Sequence, residues 1–289
     1  MRLHASALLL ALAACPQRPA PVPSPPLPPS TVDDPSDPLR DPREIRLSHV
    51  RQLSTSGRAA GPVFSADGKR LAFFDLSLPG AAVETVDLPA GKAVPVPADL
   101  PPGERWARIW FGPTGLCGTA VQLDCPDASP CRPAETRPVG AGVCRAPSPL
   151  RVPAPPGARE LTPSPDGAWL AWIQGGEESS RLFVAPISGA TPAAVSPEET
   201  RAAQPAWLPG DQRLLFASTM DDAAGRDWDL FEADRDGAGI ERLTFTPGAD
   251  LAPALSPDGR SIAWVSERNA AAPGERDVFL AELAPDPRE

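Results

Sequence analysis

The sequence predicts an all-β fold made of repeated four-stranded units. A turn of the Ser-Pro-Asp-Gly type occurs five times, with its fourth position at intervals of 44 to 52 residues. Each copy precedes a short apolar run of the kind found in strands. A period of this length is typical of the four-stranded blade of a β-propeller, so we expect one propeller of five blades. The turns are Ser65–Gly68, Gly112–Gly115, Ser164–Gly167, Leu208–Asp211 and Ser256–Gly259.

The repeated turn is predicted to connect the first two strands of each blade. Proline at its second position presets φ near −65°, aspartate suits the third, and glycine at the fourth accepts a positive φ. A type I turn followed by a left-handed residue is a common hairpin connection. We therefore interpret the aspartate and glycine of the three best copies as structural: Asp67, Gly68, Asp166, Gly167, Asp258 and Gly259.

The run after each turn is predicted to be a strand that is buried on both faces. In Leu214–Ala217, for example, Leu214 and Phe216 share one face and Leu215 takes the other. Such a strand is covered by a neighbouring sheet on each side. Third strands are predicted further along each period, at Val83–Leu88, Gly142–Ala146, Leu182–Ile187, Asp229–Ala233 and Asp277–Leu283. The clearest fourth strand is Ile240–Thr246, which contains an apolar–hydroxyl pair that also recurs.

The last two repeats resemble those of TolB-type propellers. The resemblance rests on Trp228–Gly237, Glu241–Thr244 and Pro253–Arg268, and it extends over residues 44–289. It implies a propeller whose motif residues are structural, so no catalytic residue is transferred. It also implies a protein or peptide partner in the cell envelope.

The N-terminal strand is predicted to complete the last blade. That blade has only three strands before the chain ends, and Arg46–Ser54 carries the same apolar–hydroxyl pattern. We expect this segment to pair beside Val278–Leu283, which closes the ring and hides the sheet edges. A sixth blade within residues 98–158 is the alternative.

Residues 1–14 have the pattern of a bacterial lipoprotein signal peptide. A basic start and a short apolar run precede Leu-Ala-Ala and then Cys15, which we expect to carry the lipid. Ordinary cleavage after an Ala-x-Ala site is the alternative. Residues 15–43 are predicted to be a lipidated tether, since residues 16–43 contain 11 prolines and no apolar periodicity. The membrane is then contacted through the lipid only, and we expect the outer membrane, with the propeller facing the periplasm or the cell surface.

Four further cysteines fall between residues 117 and 144. An even number in an exported chain indicates disulfides. Cys117 and Cys144 fall on predicted hairpin partners, so we expect Cys117–Cys144 with Cys125–Cys131 nested inside. A zinc site is the alternative, although the spacing lacks the close Cys pairs that zinc prefers.

The composition argues against several functions. A formal net charge of −10 repels phosphate backbones, so we expect no nucleic-acid partner. The two histidines are His4 and His49, and tyrosine is absent, which leaves little for a histidine-based triad or phenol chemistry. We expect no enzyme activity, no cofactor and no metal.

One acidic loop leaves an alternative function open. Asp221, Asp222 and Asp227 crowd a single loop and are weak calcium candidates, because calcium prefers carboxylate oxygens. Aspartates that form turns explain the same pattern. The sequence therefore predicts a non-catalytic protein-binding or scaffolding lipoprotein. A carbohydrate-binding or lyase-like surface propeller, possibly calcium-dependent, is the second hypothesis.

Overall fold

The computed structural model describes residues 36–77, 82–96, 104–112, 115–122, 135–139, 155–222 and 224–287. Of the two compact units in the chain, Met1–Ser30 lies outside these residues, and the description below concerns Thr31–Glu289. The described part contains strands and turns and no helix that could cross a membrane. The all-β fold class predicted from the sequence is confirmed.

The strands of the described residues form five antiparallel sheets. Sheet I contains β2 (Ala59–Phe64), β3 (Arg70–Asp75), β4 (Ala82–Asp87) and β5 (Val94–Val96). Sheet II contains β6 (Glu104–Gly112), β7 (Gly115–Gln122) and β8 (Glu135–Pro138). Sheet III contains β9 (Arg159–Pro163), β10 (Trp169–Gly175), β11 (Ser180–Pro186) and β12 (Ala193–Ala194). Sheet IV contains β13 (Ala202–Trp207), β14 (Arg213–Ser218), β15 (Asp229–Asp234) and β16 (Glu241–Arg242). Sheet V contains β17 (Asp250–Leu255), β18 (Ser261–Ser266), β19 (Asp277–Leu283) and β1 (Leu47–Gln52).

The N-terminal strand β1 completes sheet V. It pairs antiparallel with β19, with Leu47 opposite Leu283 and Gln52 opposite Phe279. Each strand hides one edge of the other, and the predicted pairing of Arg46–Ser54 beside Val278–Leu283 is confirmed. The number of blades and the closure of the ring stay predictions, since residues 97–103, 123–134 and 140–154 lie outside the described part.

The second strand of a sheet is buried between two neighbouring sheets, as its pattern predicts. In β14, Leu214 and Phe216 pack in a cluster with sheet III, whereas Leu215 and Ala217 pack in a cluster with sheet V. In β3, Leu71 faces sheet V and sheet II lies on the other side. The clusters therefore place the sheets in the order II, I, V, IV, III.

The recurring apolar–hydroxyl pair holds the fourth strand to the third. The hydroxyl oxygens of Ser54, Ser196 and Thr244 accept N–H bonds of 2.9 to 3.0 Å from Val278, Leu182 and Leu230 respectively. All three hydroxyl residues are buried, and the bond continues the pairing past the end of the regular ladder.

The third strand of sheet II differs from the prediction. Glu135–Pro138 pairs with β7 on the side opposite β6, so the predicted strand Gly142–Ala146 does not occupy that position. Residues 142–146 themselves lie outside the described part. The sequence prediction was wrong because this region is rich in proline and lacks the alternation that marks the other third strands.

Candidate functional site

The predicted turn residues form the hairpins between first and second strands. Gly68, Gly167 and Gly259 have φ of +68°, +71° and +70°, as the prediction requires. Asp67, Asp166 and Asp258 accept a hydrogen bond from the preceding serine hydroxyl, which is the main cause that lowers the pKa of each carboxyl. These aspartates serve the turn, and their carboxylates are occupied by local donors.

The serine of the turn has a role that the sequence analysis missed. Its hydroxyl oxygen accepts the N–H of the residue five positions on, at 2.9 Å for Ser65, Ser164 and Ser256 alike. The same hydroxyl donates to the aspartate, so one side chain fixes both ends of the hairpin. The serine at the first position of the three best turns was the sequence signal from which this role could have been predicted.

The three aspartates proposed as calcium ligands contact different partners. Asp222 accepts backbone N–H bonds from residues 224, 226 and 227, which lowers its pKa to about 2. Asp227 accepts the N–H of Gly248 at 2.7 Å, and Asp221 lies 3.5 Å from Arg242. Among the described residues, no three metal-ligating side chains come together. The loop aspartates that the structure describes act as turn formers and ion-pair partners.

Of the predicted cysteine sites, only Cys117 falls within the described residues. It lies fully buried in β7, opposite Pro138 of β8. Cys15, Cys125, Cys131 and Cys144 lie outside the described part. The lipid attachment and both disulfides therefore stay predictions.

His49 lies in β1, within the predicted N-terminal strand Arg46–Ser54. Its backbone has φ of +54° at an irregularity in the pairing with β19. The side chain is exposed, and its Nδ1 lies 3.2 Å from a carboxylate oxygen of Glu282. It contacts none of the buried carboxylates described below.

A cavity in the described part lies between sheets IV and V. It has a volume of about 790 Å³ and opens at the end that carries the Ser-Pro-Asp-Gly turns. Its wall is formed by the start of β1, the turns of both sheets and the C-terminal residues 284–286. The rim carries charges of both signs, from Asp258, Arg260 and Glu282. This cavity is the candidate functional site.

A network of buried ion pairs forms the back of the cavity. Glu232 of β15 is fully buried and forms ion pairs with Arg46, at 3.2 Å, and with Arg213. Arg46 also contacts Glu241 at 2.8 Å, and Arg213 contacts Asp286 near the C-terminus. Burial raises the pKa of Glu232, and the two guanidinium groups oppose that shift. The network ties Arg46, just before β1, and Asp286, after β19, to sheet IV.

The buried and the accessible charged groups of the cavity have different partners. A general acid or base must reach a reacting group with a proton to give or accept. Here the buried carboxylate of Glu232 forms ion pairs with the guanidinium groups of Arg46 and Arg213. The accessible groups of the rim are Ser48, Asp258, Arg260 and Glu282, which can form hydrogen bonds and ion pairs with a bound molecule.

The sequence analysis did not find this network. Its only local signals are a glutamate inside the apolar run Leu230–Ala233 and an arginine before Leu214–Ala217. The partner Arg46 is 186 positions away from Glu232 in the chain. Sequence patterns that involve residues close together in the chain do not reveal such a pair.

Comparison with known proteins supports the resemblance inferred from the repeats. The chain is 34% identical over 110 residues to a protein named "Protein TolB homolog" from Chlorobium chlorochromatii (strain CaD3). That match covers 37% of this chain and 24% of the relative, so it spans about a quarter of the relative's length. The predicted resemblance to TolB-type proteins is confirmed over this stretch. No family model matches the chain.

Two solved structures show a more distant likeness. The structure of a putative TolB from Agrobacterium tumefaciens has 14% identity and a TM-score of 0.40, covering 82% of this chain and 97% of that one. TolB from Acinetobacter baumannii has 14% identity and a TM-score of 0.36, covering 78% of this chain and 43% of that one. At these scores the likeness carries no functional information.

Proposed function

We propose that this protein is a cell-envelope lipoprotein whose β-sheet repeats form a non-catalytic module that binds another protein. The observation that carries the proposal is the cavity of about 790 Å³ between sheets IV and V. Its buried charges are neutralised by each other, and its rim offers polar groups of both signs. Similarity to a protein named as a TolB homolog supports the same role.

The N-terminal sequence supports a proposal for the position of the protein in the cell. We infer that residues 1–14 direct export, that Cys15 carries a lipid, and that residues 15–43 hold residues 44–289 away from the membrane. A proline-rich segment of this length reaches roughly 80–90 Å when extended at ~3.1 Å per residue. We further infer the outer membrane as the site of attachment, with the module facing the periplasm or the cell surface. The disulfides Cys117–Cys144 and Cys125–Cys131 would suit that oxidising location.

A site-specific cross-linking experiment tests the proposal. The photoreactive residue p-benzoyl-phenylalanine replaces Arg260 at the rim of the cavity, in the full-length protein expressed in its own cells. The same residue replaces Val94, which is 58% exposed on β5, as a control for surface contacts. We expect one discrete cross-linked protein from position 260 and none from position 94. Equal labelling at both positions, or no adduct at either, contradicts a binding role for the cavity.

The anchor is tested in the same cells. Cys15→Ser removes the lipidated side chain, and we expect the protein to move from the membrane fraction to the soluble envelope fraction. We expect the sheets to be unaffected, because residue 15 lies far before β1 in the chain. Unchanged membrane fractionation contradicts the lipid anchor and leaves the cross-linking test intact.

A further inference from the structure

The first strands of four sheets share an unusual backbone feature. Gly61, Glu160, Gln204 and Ala252 have φ of +59°, +51°, +55° and +51°. Each lies at an irregularity in the pairing between the first and second strands of its sheet. A bulge of this kind takes the N–H of one residue out of the regular ladder. That donor then requires another acceptor.

In two neighbouring sheets, a side chain from the adjacent first strand supplies the acceptor. The N–H of Gln204 donates to a carboxylate oxygen of Glu160 in sheet III. The N–H of Ala252 donates at 2.8 Å to the side-chain oxygen of Gln204 in sheet IV. In the order III, IV, V, the side chain of one bulge residue therefore accepts the backbone N–H of the bulge residue in the next sheet.

The series is interrupted at the next step, between sheets V and I. The equivalent donor in sheet I is the N–H of Gly61, and the equivalent acceptor position in sheet V is Ala252. Alanine has a methyl group there, so its side chain has no oxygen to offer. Among the described residues, the arrangement is present at the steps from sheet III to IV and from IV to V, and the side-chain oxygen is missing at the step from V to I.

A cavity lies at this interruption. It has a volume of about 340 Å³ and is lined by Gly61, Ala252 and Gln204 together with other small residues. Its walls are fixed, because Arg276 and residues 57–59 exchange backbone hydrogen bonds of 2.8 Å between sheets V and I. A glutamine side chain at position 252 would extend into this space, by analogy with Gln204.

Two further side chains at the cavity are suited to a ligand. Arg58 is exposed, and its guanidinium has no hydrogen bond or ion pair with another described side chain. Leu76 is 43% exposed, which makes it one of three large apolar side chains exposed in the described part. Arg276 also lines the cavity but contacts Glu267 at 3.3 Å. The site thus combines an exposed guanidinium, an exposed apolar side chain and a backbone donor.

We propose that this cavity, here called the Gly61 cavity, binds an aspartate or glutamate side chain on an extended segment of a protein partner. The carboxylate accepts the N–H of Gly61 and the guanidinium N–H groups of Arg58, as charge-assisted hydrogen bonds. An apolar neighbour on the segment contacts Leu76. This inference rests on the proposed protein-binding function and names the chemistry of one contact.

A peptide titration tests the Gly61 cavity without a natural partner. The probe is acetyl-Leu-Glu-Leu-amide, and acetyl-Leu-Ala-Leu-amide is the control. The readout is the NMR signal of the Gly61 amide in the full chain. We expect the glutamate peptide to move this signal downfield in a saturable way, and the alanine peptide to leave it unchanged. No movement with the glutamate peptide overturns the proposal.

Two variants make the test specific. Ala252→Gln supplies the missing oxygen from within, so we expect at least a tenfold loss of peptide affinity and slower hydrogen exchange at Gly61. Gln204 shows that glutamine is compatible with this backbone, since its φ of +55° is close to the +51° of Ala252. Gln204→Ala removes the side-chain oxygen that accepts the N–H of Ala252. We therefore expect the NMR signal of the Ala252 amide to respond to the glutamate peptide as well. Unchanged affinity in Ala252→Gln overturns the proposal.

The result is independent of the cross-linking test. Peptide binding without a cross-linked partner at position 260 would contradict the proposed function and retain the Gly61 cavity. A cross-linked partner without a response at the Gly61 amide would retain the function and remove this contact.

Discussion

The two faces of sheet V are packed by different means. On the side of sheet I, the buried cluster consists of apolar side chains such as Leu71, Phe73 and Val278. On the side of sheet IV, an apolar cluster is supplemented by buried ion pairs, among them Arg268 with Glu44 at 2.8 Å. The first contact depends on shape and area, whereas the second depends on protonation.

The charged contact also involves the N-terminal segment. Glu44 precedes β1, accepts the N–H of Phe245 from sheet IV at 3.2 Å, and contacts Arg268 from sheet V. Arg268 in turn lies 3.5 Å from Asp250 and 4.8 Å from the ring of Trp264. Glu44 therefore joins the segment before β1 to Phe245, which follows β16, and to Arg268, which follows β18. Such pairs specify where the segment lies, although their net contribution to stability is small relative to an apolar replacement.

The largest expected effect comes from removing that guanidinium. In Arg268→Met, the carboxylates of Glu44 and Asp250 remain buried without their counter-charge. We expect the free energy of unfolding in urea at pH 8 to fall by about 3–5 kcal/mol, as for other buried pairs broken on one side. The loss should shrink at pH 5, where burial, which raises the pKa of both carboxyls, favours their protonation. A loss under about 1 kcal/mol at pH 8 would contradict this assignment.

Leu71→Ala is the matched control on the apolar side. Leu71 is fully buried between sheets I and V, and its truncation should cost about 2–5 kcal/mol. Since no ionisable group is unpaired by this change, the cost should be the same at pH 5 and pH 8. If both variants respond to pH alike, the contrast between the two faces is lost.

A smaller and purely pH-dependent effect is expected at Asp229. Burial raises its pKa from 3.8 to about 7, although Arg242 lies 2.6 Å away and opposes the shift. A carboxyl with a raised pKa binds more protons in the folded state, so its contribution lowers stability as pH rises from about 4 to about 7. Asp229→Asn removes that dependence. Relative to the parent protein, the variant should have similar stability at pH 5 and greater stability at pH 8, by on the order of 1 kcal/mol.

Urea unfolding at the two pH values measures the difference. Asp222→Asn is the matched control in the same loop, because backbone N–H groups lower the pKa of Asp222 to about 2. The stability that Asp222 contributes is present above pH 4 and is lost only as pH falls toward 2, so this variant should show no change in slope between pH 5 and pH 8. If the free energy of unfolding of the parent protein does not change between pH 5 and pH 8, the predicted contribution of Asp229 is contradicted.

The same contrast explains how much of the structure could be predicted. Short runs that are apolar on both faces and the repeated turns predicted the second strands, and the apolar–hydroxyl pair predicted β1 beside β19. These signals are local or repeated. Glu44, Arg268 and Asp250 gave no signal, because Glu44 lies 224 positions from Arg268 and because the charged cluster does not recur in the other repeats. The apolar face of sheet V was thus predictable, and the charged face was not.

The bulges of the first strands failed to be predicted for a different reason. Gln204 and Ala252 both precede proline, which favours an extended conformation with negative φ. The structure instead gives them a positive φ, since the side-chain acceptors Glu160 and Gln204 bind the N–H groups that the bulge exposes. Long-range hydrogen bonding overrides the local preference. The Gly61-Pro62 pair was the single local hint, because glycine accepts such a φ without strain.

The smallest expected effect lies in the turns at the ends of both faces. Ser256→Ala removes the hydroxyl that accepts the N–H of Ser261 and donates to Asp258 at 2.6 Å. We expect a loss of about 1 kcal/mol in the free energy of unfolding, the usual size for one hydrogen-bonding side chain. The pKa of Asp258 should rise toward its ordinary range, since the hydroxyl is the main cause that lowers it. Carbon-detected NMR titration of that carboxyl measures the change.

Ser65→Ala provides the matched change in sheet I. Ser65 forms the equivalent bonds, with the N–H of Arg70 at 2.9 Å and with Asp67 at 2.6 Å. Because both turns are held by the same local contacts, the two variants should lose the same stability even though one turn borders the large charged cavity. A clearly larger loss in Ser256→Ala would mean that the charged face of sheet V extends into its turn, and that Asp258 and Arg260 at the rim are held in place by the buried ion pairs as well as by the hairpin.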